Sequence, residues 1–367
     1  MSVRFLTAVS GRAFNMRDRF GREIDYMRIS VIDSCNLNCY YCNPQDNNKN
    51  CQAINILSVK KVLCIVRAAT RLGITHFRLT GGEPLLHPQI DEMVSQIKKI
   101  PGVRSVSLTT NAVLLAQHAK QLKEAGIDSI NVSLDTIDAS EYEHITKKPL
   151  LHKVEQGIDA AIECGIRVKI NAVLTPQTDV VALTRYASKK GTDIRFIEMM
   201  PVGEGHTNGV EPYEKVIGAL LEVYGSPCHI DTENREEINS GYNNADNGPA
   251  EYYSFHGFNI RVGLIQAIHG KFCDTCNRIR VTADGRLMPC LGSSVTMDLV
   301  PDSCKFTDDL EKDFVIVQAL KAAIKAKPGG HNFNDNAVTY TKNTETKATE
   351  LKAAEVNAAR NMSRIGG

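Results

Sequence analysis

The stretch DSCNLNCYYCNP, residues 33–44, places Cys35, Cys39 and Cys42 within eight positions, with Tyr40 and Tyr41 between the last two. Three thiols at a CX3CX2C spacing are one ligand short of a closed tetrahedral zinc site. An iron–sulfur cube is normally held by four cysteines, so one held by three leaves an iron open to another ligand. The local spacing also admits a zinc ion completed by a distant residue. A second group, in FCDTCNRIRVTADGRLMPC, sets Cys273, Cys276 and Cys290 at CX2CX13C. Cys304, 14 residues further on, would complete a closed four-cysteine zinc or iron–sulfur site; without it, a second cluster also has an open iron. Between these thiols Arg278 and Arg280 alternate along a predicted strand and so face one side. Two guanidiniums beside a metal site suit a polyanion, whose phosphate oxygens they bind bidentately; the plainer reading is a surface ladder paired with acids.

The elements that must position these groups follow a regular order. Apolar strand patterns, YMRISVI, THFRLT, SVSLTT, SINVSL, RVKINAVLT and DIRFIEMM, alternate with amphipathic stretches such as KKVLCIVRAATRLG, PQIDEMVSQIKKI, AQHAKQLKEAG and KVEQGIDAAIECG. Several of the helical stretches end in Gly, the usual helix stop. Six such alternations argue for a parallel sheet covered by helices, either doubly wound or curved into a partial barrel. Polar or reactive residues recur just after five strands: Asp33 to Cys42, Gly81 to Glu83, Asn111, Asp135, and Glu198 to Met200. A barrel gathers its strand ends around one mouth, which favours the barrel. From about residue 201 the pattern changes to loops and hairpin-like strands, AEYYSFHGFNIRVGLI and RIRVTADGRLMPCL, the second turning at Asp284-Gly285. One further helix, DLEKDFVIVQALKAAIKA, precedes an Asn-, Thr-, Lys- and Ala-rich tail.

At 367 residues and 43% hydrophobic content, the chain can bury a full core. Its net charge of +1 provides no bulk attraction for nucleic acid, and no apolar run reaches the roughly 18–20 residues that span a bilayer. The first 17 residues carry Arg4, Arg12 and Arg17 and no acid, a composition that suits an organellar leader as well as a plain cytoplasmic start. The cytoplasmic start is the expectation. Of the eleven cysteines, Cys51, Cys64, Cys164 and Cys228 are scattered; Cys64 and Cys164 fall in apolar helical patterns and are expected as small core residues. In a reducing compartment, clustered cysteines more often hold metal than form disulfides.

LTGGEP, residues 79–84, ends the second predicted strand, where two glycines let the backbone approach a ligand or simply make a turn. Joined to CX3CX2C after the first strand, it resembles the radical S-adenosylmethionine (SAM) superfamily. The resemblance implies a [4Fe–4S] cluster on Cys35, Cys39 and Cys42 whose open iron is chelated by SAM, and reductive cleavage to a 5′-deoxyadenosyl radical. It further implies that Tyr41 contacts SAM, Gly82 meets its amino group, Ser133 its ribose or carboxylate, and Met200 its adenine region. Without it, Ser133 and Met200 read as strand-end packing.

The order FGREIDYMRIS, CX3CX2C, RLTGGEPL, LTTN, NVSLD, RFIEMMPVG, NGPA with paired tyrosines, FCDTCNRIRVTADGRLMPCL and a terminal Gly-Gly is similar to the MoaA family. These are the GTP 3′,8-cyclases, lyases of molybdenum cofactor biosynthesis. The similarity covers about residues 18–300 and resumes at the last two residues. It implies removal of the GTP 3′ hydrogen, attack of the ribose radical on guanine C8, and guanine bound at the open iron of a second [4Fe–4S] cluster on Cys273, Cys276 and Cys290. The triphosphate would meet Arg28, Arg78, Lys169 and Arg195, with Arg278 and Arg280 nearer the nucleotide and Thr109 also touching GTP. Four cations on predicted barrel strands are costly unless an anion meets them. Gly366 and Gly367 would thread into the active site. Ser34, Asn43, His76, His87-Pro88-Gln89, Ala112 and Glu251 depart from the family pattern, but every motif cysteine is kept.

The expected fold is thus a partial (β/α)6 TIM-type barrel with a C-terminal α+β extension carrying a second iron–sulfur site. Residues 1–25 form an N-terminal segment, 26–200 the barrel, 201–325 the auxiliary-cluster domain and 326–367 a flexible tail. Expected partners are GTP, a reducing electron donor, a downstream pterin synthase and a second copy of the chain as a homodimer, with no nucleic acid and no membrane. Two other readings stand beside the cyclase. One is a two-cluster radical SAM enzyme, for example peptide-modifying, whose second cluster relays electrons; the other is a zinc-stabilised binding protein.

Overall fold

The computed structural model describes residues 16–42, 54–202, 213–229, 248–257, 259–293, 295–299, 309–331 and 333. The six predicted strands form as β1 (Tyr26–Ser30), β2 (His76–Thr80), β3 (Ser105–Thr110), β4 (Ser129–Ser133), β5 (Arg167–Val173) and β6 (Asp193–Ile197). Between them run α1 (Val59–Thr70), α2 (Ile90–Lys98), α3 (Leu115–Glu124), α4 (Ala139–Thr146), α5 (Leu151–Glu163) and α6 (Val180–Lys190). Side chains start three of these helices: Ser58 accepts from the Lys61 amide at 3.3 Å, Asp138 from Glu141 at 2.8 Å and Asp179 from Ala182 at 2.9 Å. α6 ends on Gly191, whose φ of 66° suits a residue without a Cβ.

The strands pair in parallel and in chain order, β1 through β6. A doubly wound sheet reverses its order at a switch point, whereas sequential neighbours are the mark of a barrel. α7 (Tyr213–Tyr224) follows, then β7 (Cys228–His229), β8 (Glu251–Ser254), β9 (Val262–Ile265), β10 (Arg278–Val281), β11 (Arg286–Met288), β12 (Met297–Asp298) and α8 (Asp309–Lys325). These later strands extend both edges of the same sheet. β9 adds parallel to β6 and carries β8 and β7, while β10 adds parallel to β1 and carries β11 and β12. The hairpin between β10 and β11 turns at Gly285, φ 87°. The sheet therefore ends in two edges among the described residues, giving a partial (β/α) barrel.

Alternation along each strand sorts the two faces. Met27, Ile29, Phe77, Leu79, Val106, Leu108, Ile130, Val132, Val168, Ile170, Ile194, Phe196, Ile279 and Val281 are buried in the main core, which also takes the apolar faces of the helices. Each such side chain contributes about 1.5–3 kcal/mol of burial, so this face fixes the register. The alternate positions carry Tyr26, Arg28, His76, Arg78, Ser107, Thr109, Ser129, Asn131, Lys169, Asn171, Arg195, Arg278 and Arg280. The lumen is therefore polar and basic, where a TIM barrel of the filled kind would be apolar. No helix among the described residues is long and apolar enough to cross a membrane.

Candidate active site

The lumen gathers its cations by register. Arg280, Arg28 and Arg78 are strand partners across β10, β1 and β2. Thr109, Asn131 and Lys169 align across β3, β4 and β5, and Asn171 pairs with Arg195 on β6. Arg78, Lys169, Arg195 and Arg280 are buried, Lys169 to 1% exposure, and Arg28 and Arg278 are half-buried. Arg78 donates to the Tyr26 hydroxyl and, at 3.5 Å, to Thr109 Oγ1. Opposite Arg195 stands Gly263, where a Cβ would come within 2.8 Å of the arginine's Cγ.

The electrostatics are those of like charges held together. Burial and then the Arg280 charge hold Arg28 well below the usual arginine range. Burial and Arg278 bring Arg280 down to about 10. Burial also lowers Arg195, with Arg78 adding to the effect. Burial pushes the Tyr26 hydroxyl up, but Arg78, Arg28 and Arg278 together pull it below its ordinary value. Arg195 donates Nε to Asn171 Oδ1 at 2.9 Å, yet its buried Nη2 has no partner among the described residues, nor has Asn131 Oδ1. An N–H seeking an acceptor, and an amide oxygen seeking a donor, fit an anionic ligand that also carries hydroxyls.

Cys35, Cys39 and Cys42 lie on the loop leaving the C-terminal end of β1, all half-buried. The loop is held by backbone bonds: Asn38 and Tyr40 donate to the Thr146 and Ile145 carbonyls at the end of α4, at 3.0 and 3.1 Å. The GGE turn after β2 locks its other side, with Gly82 donating to Ile32 at 2.7 Å and Glu83 to Ser34 at 2.8 Å. A Cβ on Gly81 would stand 2.3 Å from the Ile32 oxygen and one on Gly82 2.2 Å from the Ser34 oxygen, so both positions require glycine. Glu83 is buried and accepts from Thr110 Oγ1 (2.6 Å), Leu85 N (3.0 Å) and Asn111 N (2.8 Å); burial raises it to about 7. Asn111 reaches Asn36 at 2.7 Å and Cys35 Sγ at 3.7 Å. Tyr41 donates to Asp135, whose other oxygen accepts the Val173 amide at 2.8 Å. Burial pushes Cys35 up to about 11, with Glu83 contributing, and Cys39 higher still, with Asp135 contributing.

The second group lies at the other end of β1. β10 runs parallel to β1 with Arg278 opposite Tyr26, so Cys273 and Cys276, which precede β10, stand at the strands' N-terminal ends. Cys290, just past β11, returns to the same end. The five residues of β1 rise roughly 3.3 Å each, which puts the two groups on the order of 15 Å apart with the basic lumen between them. Arg22 Nη1 donates to the Cys273 carbonyl at 2.6 Å and to Gly329 at 3.1 Å, and its Nη2 to Pro328 at 2.6 Å. Lys327 donates to Cys276 Sγ at 3.3 Å. Burial pushes the Cys276 thiol up, but Lys327 and Arg278 pull it below the ordinary value. Among the described residues no three His, Cys, Asp or Glu side chains converge as the donors of one metal ion do. A cube presents separate corners to its thiols, so its ligands stand wider apart than those of a single ion.

Of the sequence-predicted residues, Gly82 lies in the glycine turn and Ser133 is exposed at the end of β4. Met200 packs past β6 against Val202, Met288 and Phe333. Gly366, Gly367, Cys304 and Asn43 lie outside the described residues. Of the departures, His76 bonds Ser105 at 2.8 Å, and His87 donates to Leu57 O at 3.0 Å while accepting from the Gln89 amide at 3.1 Å. Sequence reasoning missed Tyr26, Asn131, Arg22 and Lys327 as site residues. The first two were legible as polar residues at every second strand position; nothing local marks the other two.

Residues 29–184 match the family model described as Radical SAM superfamily, and residues 192–333 the one described as Molybdenum Cofactor Synthesis C. The GTP 3′,8-cyclase of Clostridium perfringens (strain SM101 / Type A) is 36% identical over 322 residues, covering 87% of this chain and 95% of that protein. That of Listeria monocytogenes serovar 1/2a (strain EGD-e) is 36% identical over 320 residues, 86% of this chain and 92% of that one. Among solved structures, Streptococcus suis SuiB bound to S-adenosylmethionine superposes with a TM-score of 0.55 at 17% identity, covering 83% of this chain and 68% of that chain. That likeness shows a shared fold. With both family models matched in tandem and curated relatives aligned nearly end to end, the chain belongs to the GTP 3′,8-cyclase family of the radical SAM superfamily.

Proposed function

We infer that the protein is a radical SAM GTP 3′,8-cyclase, converting GTP to (8S)-3′,8-cyclo-7,8-dihydroguanosine 5′-triphosphate at the start of molybdenum cofactor biosynthesis. The observation that carries this reading is the basic lumen held between two cysteine groups at opposite ends of β1. A relay-only second cluster would not need guanidiniums in the space between.

Three half-buried thiols on one backbone-locked loop fit a [4Fe–4S] cluster on Cys35, Cys39 and Cys42. With such a cluster and SAM bound, this end of the lumen would supply one-electron chemistry for reductive SAM cleavage and hydrogen abstraction from GTP. Tyr41, Gly82, Ser133 and Met200 would hold SAM over this end. Asp135, bonded to Tyr41, fixes that ring. Arg28, Arg78, Lys169 and Arg195 would bind the triphosphate, relieving their mutual repulsion, with Thr109 beside it and Arg278 and Arg280 towards the guanine. Cys273, Cys276 and Cys290 would hold a second [4Fe–4S] cluster with an open iron for the base. Gly366 and Gly367, outside the described residues, would thread into the active site.

The division into a barrel over 26–200, an auxiliary domain over 201–325 and a tail over 326–367 belongs to the same reading. So do a cytoplasmic setting, a homodimer, an external electron donor and a downstream pterin synthase that consumes the cyclic nucleotide. The test is anaerobic incubation of cluster-reconstituted protein with SAM, a reductant and GTP deuterated at 3′. Deuterium in the 5′-deoxyadenosine is expected. Unlabelled 5′-deoxyadenosine would make GTP the wrong substrate, and none at all in a protein with intact clusters would sink the radical reading.

A further inference from the structure

Just past α8, the chain places Lys327 with its side chain turned inward and 2% exposed. Its Nζ donates to Cys276 Sγ at 3.3 Å, to the Arg278 carbonyl at 2.8 Å and to the Pro289 carbonyl at 3.1 Å. An ammonium has three N–H donors and no acceptor, so all three are used. The acceptors lie on both cysteine-bearing segments: one is a thiol of the second group, one follows Cys276 by two residues, and one directly precedes Cys290. Among the described residues no carboxylate pairs with this lysine. A buried cation without a carboxylate is expensive, and an apolar side chain would knit the same segments more cheaply. The cost is offset when the neighbouring sulfur is a metal-bound thiolate and the site as a whole is anionic.

We propose that Lys327 is a positioning residue for the auxiliary iron–sulfur site: it docks the two cysteine segments on one ammonium and sets the reduction potential of the cluster they hold. This rests on the two-cluster reading above. Hydrogen bonds to ligating sulfur and nearby positive charge both stabilise the reduced cluster, so Lys327 raises the potential at this end only. At the first group the bonds to Cys35 come from neutral donors, the Leu37 amide and Asn111.

The experiment compares wild type with Lys327→Met, Lys327→Gln and Lys327→Arg. Each is reconstituted anaerobically, its iron and sulfide are counted, and it is titrated electrochemically while both clusters are followed by electron paramagnetic resonance. In Met and Gln variants the auxiliary potential should shift negative, return towards wild type in Arg, and leave the first cluster unmoved. Loss of one cluster's iron from the Met variant, with SAM cleavage at the first cluster retained, supports the same role. An unmoved auxiliary potential in a fully loaded Lys327→Met protein overturns the lysine's role alone. Loss of both clusters also overturns it, since the contact would then serve the fold at large. A wild type that takes up only one cluster overturns the proposal together with the two-cluster reading.

Discussion

The two cysteine groups are built from opposite materials. Around the first, backbone bonds hold the loop, Asn111 reaches Cys35, and Cys35 and Cys39 are pushed upward by burial, with the carboxylates of Glu83 and Asp135 adding to it. Around the second, Arg22 and Lys327 hold the loops, Arg278 and Arg280 stand beside them, and Cys276 is pulled downward against its burial. Backbone strain is sorted as well. The non-glycine residues at positive φ among those described, Ala112 and Lys147, both flank the first loop: one follows Asn111, the other caps α4. Charge thus runs from carboxylate-flanked to cationic along the lumen. A sulfonium cofactor suits the first end and a nucleotide polyanion the rest.

The largest expected effect separates the ends by chemistry. Cys39→Ser should bring SAM cleavage to background, while Cys276→Ser should keep 5′-deoxyadenosine formation and lose the cyclic product. Chromatography of both products checks this, and equal loss of 5′-deoxyadenosine in the two variants would erase the distinction. Next comes the buried carboxylate of the first end. Glu83 sits at about 7 against an ordinary 4.5, so its contribution to stability is full below pH 4.5 and is lost as pH rises to about 7. That difference is worth on the order of 3 kcal/mol. Denaturant midpoints across this window should fall in wild type relative to Glu83→Gln; parallel curves would show that burial does not raise the group.

Arg78→Ala and Arg195→Ala should weaken GTP binding by about 10- to 100-fold, the worth of one charge-assisted hydrogen bond, and leave SAM binding unchanged. Asp135→Asn should do the reverse. Equilibrium dialysis with each ligand reads both, and a variant that weakens both ligands alike would break the charge sorting. The smallest effect concerns strain. Ala112 is fully buried at φ 63°, which costs about 1–2 kcal/mol, while its methyl gains about 0.8 kcal/mol from burial. Ala112→Gly should therefore raise stability by up to about 1 kcal/mol in thermal unfolding, and a destabilised variant would show the site relaxed.

The barrel was legible because its strands carry two signals at once. In SINVS, Ile130 and Val132 face the helices while Ser129, Asn131 and Ser133 face the lumen, and the same alternation runs through YMRIS and HFRLT. The polar residues after five strands identified the mouth for the same reason, since strand ends converge whatever lies between them. Helices α4 and α6 went unremarked because their short apolar stripes sit in polar sequence. Lys327 and Arg22 were invisible for another reason. Arg22 pairs locally with Asp18, but the partners that tie these two cations to the second site are carbonyls and a thiol 38–51 residues away for the lysine, and 251–307 for the arginine, and no local pattern encodes a carbonyl acceptor at such distance.

The placement of β9 and β10 on opposite edges of the sheet has a consequence for how the chain comes together. β1 receives its outer neighbour from β10, and the junction is pinned by Asn277 donating to Asp25 at 2.7 Å across 252 residues of sequence. Until that segment leaves the ribosome, the nascent barrel carries two bare parallel edges, at β1 and at β6, with unsatisfied amides along each. Long-range closure of this kind is slow, so the order of synthesis leaves the first cysteine loop in place well before the second end of the lumen exists. A chain stopped near residue 200 would be an aggregation template, and any cluster it had taken up would face solvent along an open seam.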